Sequence, residues 1–72
     1  MKTLKQRFID ETKSKGGLRL LVVAVQLPSG AIETITNTEN IVDKVGYYWN
    51  AYDDEFRLKV NPDVRIVGYM IV

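Results

Sequence analysis

Two hydrophobic periods alternate along this chain of 72 residues. Near the amino terminus Leu4, Phe8 and Thr12 recur at i, i+4, with Ile9 beside them and Met1 a turn earlier, which is the spacing of a helix with a narrow apolar stripe. A stripe resting on two or three large side chains predicts weak docking or mobility. Gly16-Gly17 stops this helix and lets the chain turn. The period then changes. Residues 18–27 are rich in β-branched side chains, with Leu18 at their start, and predict a strand that is apolar on both faces. Pro28-Ser29-Gly30 is a turn, and residues 31–36, polar at alternate positions, are the antiparallel hairpin partner lying towards a sheet edge.

Asn37-Thr38-Glu39-Asn40 offers two helix caps and an early acidic side chain, so a second helix is expected over residues 37–52. Its stripe is Ile41, Val45, Tyr48 and Tyr52, widened by Val42 and Trp49, and Gly46 suggests a close approach of its backbone to the sheet. Asp53-Asp54-Glu55 sits at the negative end of the helix dipole and marks the helix end. Residues 56–60 suit a short edge strand, Asn61-Pro62-Asp63 a turn, and residues 64–72 a closing strand that is again apolar on both faces. The order α-β-β-α-(β)-β predicts an α+β fold: a small antiparallel or mixed sheet of three to four strands, the first and last of them central, with one main helix packed on it. Residues 1–72 make a single domain, in which a basic helix over residues 1–15 attaches loosely or at an edge to an α/β core of residues 18–72.

Composition narrows the chemistry. With 46% apolar and 26% charged residues the chain has the makeup of a folded domain. It contains neither Cys nor His, which removes disulfides, thiolate and imidazole metal ligands, and nucleophiles served by a His base. Asp53-Asp54-Glu55 is the only carboxylate cluster, and its three consecutive acids lack the spaced ligands of a calcium loop; Gly16-Gly17 lacks the spacing of a phosphate loop. No enzyme activity, cofactor or metal site is therefore expected. The longest apolar run, residues 20–25, is far too short to span a bilayer, and no secretory signal follows the basic amino terminus, so a cytoplasmic protein is expected.

The net charge of +1 conceals an asymmetry. Residues 1–19 carry six basic side chains against two acidic ones, while residues 20–72 carry four basic against seven acidic. Two candidate surfaces follow. Tyr47, Trp49 and the acidic Asp53, Asp54 and Glu55 fit a protein-binding surface, because Tyr and Trp dominate interface hot spots and the four aromatics of residues 47–52 cannot all face one core. Alternatively, Lys2, Lys5, Arg7, Lys13 and Lys15 fit a nucleic-acid-binding arm, which aromatic stacking would assist only if the first helix folded beside the second.

The runs Leu27-Pro28-Ser29-Gly30-Ala31-Ile32-Glu33, Asn40-Ile41-Val42-Asp43-Lys44, Ala51-Tyr52-Asp53-Asp54-Glu55-Phe56-Arg57-Leu58-Lys59 and Asn61-Pro62-Asp63-Val64-Arg65-Ile66-Val67-Gly68-Tyr69-Met70-Ile71-Val72 resemble a family of very small proteins of bacteriophages and prophages of Gram-positive bacteria. The resemblance covers about residues 20–72 and leaves the basic first helix outside. It implies a phage setting and carries no catalytic residue. The expected function is an accessory or inhibitor protein that binds a host or phage protein in the host cytoplasm. The alternatives are a nucleic-acid-binding accessory factor of phage replication or regulation, and a small structural component of the virion. Because the first and last strands are apolar on both faces, a second cover is needed, and a homodimer through the exposed sheet face or the edge of the last strand would supply it.

Overall fold

The computed structural model of the chain describes residues 2–17, 19–38 and 40–72. Helix α1 (Leu4–Lys15) leads into strands β1 (Leu21–Gln26) and β2 (Ile32–Asn37). A single 3-10 turn (Ile41–Lys44) runs into helix α2 (Val45–Ala51), and strands β3 (Arg57–Leu58) and β4 (Asn61–Ile71) follow. The strands form one antiparallel sheet in the order β2-β1-β4-β3, so the fold is α+β with the two apolar strands at its centre. Met1, Leu18 and Glu39, assigned above to the first stripe, the first strand and the second helix start, lie outside the described residues. Among the described residues no helix is long and apolar enough to cross a membrane.

The β1–β2 connection shows how local chemistry sets register. Gly30 N–H donates to the Leu27 carbonyl and Leu27 N–H to the Ala31 carbonyl, both at 2.8 Å. Gly30 holds φ at +92°, the left-handed position that a three-residue hairpin loop requires. From there the pairing runs unbroken from Gln26–Ile32 to Leu21–Asn37. Between β1 and β4 the register slips: Ala24 pairs with Gly68 but Val25 pairs with Ile66, leaving Val67 unopposed. This bulge interrupts the alternation of a regular strand and turns Ile66 to the same side as Tyr69 and Ile71.

Three local expectations are corrected. Residue 37 ends β2 instead of starting the second helix; Asn40 caps the 3-10 turn by accepting the Val42 N–H at 3.1 Å, and α2 begins only at Val45. Asn61-Pro62-Asp63 belongs to β4, and the chain reverses at Lys59 and Val60 instead. Pro62 is tolerated because it lies at the start of the strand, where no ladder donor is needed. Gly46 approaches nothing: a Cβ built on it would meet no atom within 4 Å.

Both helices lie on one face of the sheet. Phe8, fully buried, stands at the centre of the core, its ring 5.1 Å from Tyr48 of α2, 5.5 Å from Phe56 and 5.1 Å from Tyr69 of β4. Ile9 and Thr12 of α1 are buried with it, alongside Leu21, Val23, Val25, Ile41, Tyr52 and Ile66. Among the described residues nothing covers the opposite face. There Val22 and Ala24 of β1 lie beside exposed Ile32 and Met70, with Leu20 and Val72 at one end.

Since Gly46 lies in a helix with open space around its α-carbon, Gly46→Ala is expected to stabilise the domain by about 0.5–1 kcal/mol through the unfolded chain's lost freedom. Thermal unfolding followed by circular dichroism should show a rise of several degrees; a fall would mean that the position is crowded.

Candidate interaction surface

The seam between α1 and α2 is built around one lysine. Lys5 lies on the stripe side of α1 and is buried despite its charge. Its ammonium donates to the Trp49 carbonyl at 2.9 Å and the Tyr52 carbonyl at 2.7 Å, and it sits 4.5 Å from the centre of the Trp49 ring. The last carbonyls of α2 have no partner within the helix and carry its negative dipole end, so a cation from the neighbouring helix satisfies both hydrogen-bonding and charge. Burial lowers the Lys5 pKa from the usual lysine range, an effect that Asp54 opposes.

Beyond α2 the chain turns on Asp53. Its carboxylate accepts the backbone N–H of Glu55 and of Arg57 and the Arg57 Nε–H, each at 2.9 Å. The Arg57 backbone N–H is the main cause that holds this carboxyl below the usual aspartate range. Phe56, within the turn, adopts φ of +63°, and its ring is driven into the core. Glu55 lies 3.4 Å from the Arg57 guanidinium.

The five side chains proposed for protein binding do not form one patch. Tyr47 and Trp49 are 57% and 46% exposed but lie on opposite flanks of α2, as a separation of two helical positions requires. Tyr47 borders a hollow with Ile35, Asn37 and Asp43 beside β2. Trp49 instead stands over the helical seam, in shallow hollows shared with Lys2, Gln6 and Asp54 on one side and with Ile9, Lys13 and Val45 on another. Asp54 is exposed beside it, whereas Asp53 is committed to its turn.

The basic set is divided too. Folding does bring α1 beside α2, and Lys5 and Trp49 meet there. Lys5, however, is spent on α2, Lys2 pairs with Asp10 at 2.6 Å, and Lys15 lies 3.7 Å from Glu11. Arg7 and Lys13 are exposed and, among the described residues, make no ion pair within 4 Å, although Lys13 lies near enough to Asp10 to help lower its pKa. Among those residues no group of three or more carboxylates converges on a point that could hold a metal ion. Lys5 as a helix cap was missed by sequence reasoning, since a lysine one position after Leu4 in an otherwise basic helix carries no signal of burial. Comparison with known proteins finds no matching family, no matching curated protein and no matching solved structure.

Two outcomes test this geometry. Lys5→Met keeps the apolar stem but leaves two carbonyls at the end of α2 without their donor, so a loss of about 1–3 kcal/mol is expected in denaturant unfolding, together with a shift in Trp49 fluorescence; unchanged stability and emission would contradict the cap. Burial raises the hydroxyl pKa of Tyr48 and pushes those of Tyr52 and Tyr69 up to about 12, with neighbouring tyrosines adding to the effect at Tyr52 and Glu11 at Tyr69. These groups ionise near pH 10 in the unfolded chain, so between about pH 10 and 12 the folded state binds more protons and stability falls as pH rises. The tyrosinate absorbance of Tyr48, Tyr52 and Tyr69 should therefore appear in step with unfolding. Full ionisation at pH 10 in a folded chain would overturn this.

Proposed function

We propose that this chain is a small binding module that docks on a protein partner through the α1–α2 seam, with Trp49 as its anchor. The observation that carries the reading is an indole half exposed yet held in place by the buried Lys5 ammonium, with charges of both signs around it. An aromatic side chain fixed before binding loses little freedom on contact, which is the character of an interface hot spot. Asp54 and Lys59 on one flank and Lys13 on the other would form a polar rim. The action is binding rather than catalysis, since a chain without His or Cys offers no familiar nucleophile with its base. The family resemblance supports a host or phage protein as partner, met in the host cytoplasm by a phage accessory or inhibitor protein. A nucleic-acid partner is less favoured: three of the five candidate basic side chains are already engaged by acids or helix carbonyls.

Affinity capture from host and infected cytosol with the intact chain and with Trp49→Ala, followed by mass spectrometry, tests the proposal. One partner should be retained by the intact chain and by Arg7→Ala, and lost with Trp49→Ala, for which a drop of about 30-fold or more in affinity is expected at an aromatic hot spot. Equal capture by both would reject the Trp49 surface. Oligonucleotide binding at 50 mM salt that collapses by 200 mM would favour the nucleic-acid reading in its place.

A further inference from the structure

We propose that two copies of this chain join through the outer edge of β2 into a continuous eight-stranded antiparallel sheet, on a two-fold axis at Ile35. Among the described residues β2 is an end strand of the sheet, with β1 on one side and no strand on the other. The hairpin bond from Leu27 N–H to the Ala31 carbonyl sets which backbone groups face β1: those of Ala31, Glu33, Ile35 and Asn37. The N–H and C=O groups of Ile32, Thr34, Thr36 and Thr38 consequently point outward from the free edge. Such an edge is a template for another strand, and folded proteins usually blunt it with proline, lysine or a bulge. β2 has none of these. Its six residues, Ile-Glu-Thr-Ile-Thr-Asn, pair with β1 without a break, and Glu33 is their only charge.

Backbone geometry and that one charge select the register. Outward-facing residues must pair with outward-facing ones, so the symmetry axis must pass through a residue and cannot fall between two. An axis at residue 33 sets Glu33 against its own copy, which is unfavourable. An axis at residue 34 sets each Glu33 against an aliphatic Ile35. An axis at residue 35 sets Glu33 against the neutral Asn37, pairs Thr34 with Thr36, and brings the two Ile35 side chains together at a non-hydrogen-bonded position, where opposed side chains lie closest. It also extends the pairing to Ile32 with Thr38. Ile35 is 47% exposed in the single copy and borders the hollow that Tyr47 overhangs, so this pairing would seat each apolar tip against the other copy. A strand of this length is about 20 Å long, which puts the contact at the small end of specific interfaces and makes the dimer reversible at micromolar concentration.

Because the chain has no cysteine, single-cysteine variants report the register directly. Under mild oxidation Ile35→Cys should form a covalent dimer, while Glu33→Cys, Thr34→Cys and Met70→Cys, the last on the uncovered sheet face, should remain monomeric. Faster linkage at 33, 34 or 70 would overturn the proposed axis. Sedimentation equilibrium of the unaltered chain should show a mass rising from 8.2 kDa towards twice that value. A mass that stays at the monomer value up to about 200 μM would overturn the dimer itself. Thr34→Pro removes an N–H that faces away from β1, so its circular dichroism should be unchanged and its mass monomeric; a folded variant that still dimerises would also count against edge pairing. None of these readouts depends on the α1–α2 seam.

Discussion

The burial of Phe8 is the constraint on which the rest of this small domain depends. A sheet of four strands, two of them short or exposed, cannot hide its apolar face beneath α2 alone, since α2 has only seven residues. Phe8 fills the remaining space. It touches the second helix, the turn before β3 and the last strand at once, so one side chain from the amino-terminal helix ties together three later parts of the chain. Its ring meets those of Tyr48 and Tyr69 edge to face, each at 5.1 Å.

Once α1 is held by Phe8, Lys5 one turn earlier is carried to the end of α2. The same docking that completes the core therefore positions an ammonium under two helix carbonyls and beside the Trp49 ring. The surface at the seam is a by-product of packing: a charge that reads as part of a basic arm becomes structural, and an aromatic that reads as part of a stripe becomes an exposed, fixed knob. Both helices lie on one face, and among the described residues nothing covers the other face or the outer edge of β2.

Much of the fold was legible because it rests on local periodicity. The two-faced apolar runs of β1 and β4 do lie at the centre of the sheet, and Ile41, Tyr48 and Tyr52 are buried as their helical spacing implies. What escaped reading depends on contacts distant in sequence. The Val67 bulge arises from pairing with a strand more than forty residues earlier, and no alternation rule reveals it. Lys5 shows no local sign of its partners at Trp49 and Tyr52. Asn37 looked like a helix cap because asparagine favours caps, yet its amide bonds the Leu21 carbonyl and the Tyr48 hydroxyl from the end of a strand. At the candidate surface, the exposure of Tyr47 and its separation from Trp49 follow from helical angles, whereas the exposure of Trp49 and Val42, read as widening the buried stripe, and the commitment of Asp53 to a turn do not.

Helix α1 belongs to the core, with Phe8, Ile9 and Thr12 buried in it. Native-state amide hydrogen exchange, read residue by residue, tests this most directly. If Phe8 anchors the fold, the amides of residues 8–12 should be protected as strongly as those of Val23 and Met70, which face neighbouring strands, and should open only with global unfolding. Exchange in α1 faster than in β1 and β4 by two orders of magnitude or more, roughly 2.7 kcal/mol of independent opening, would contradict the account.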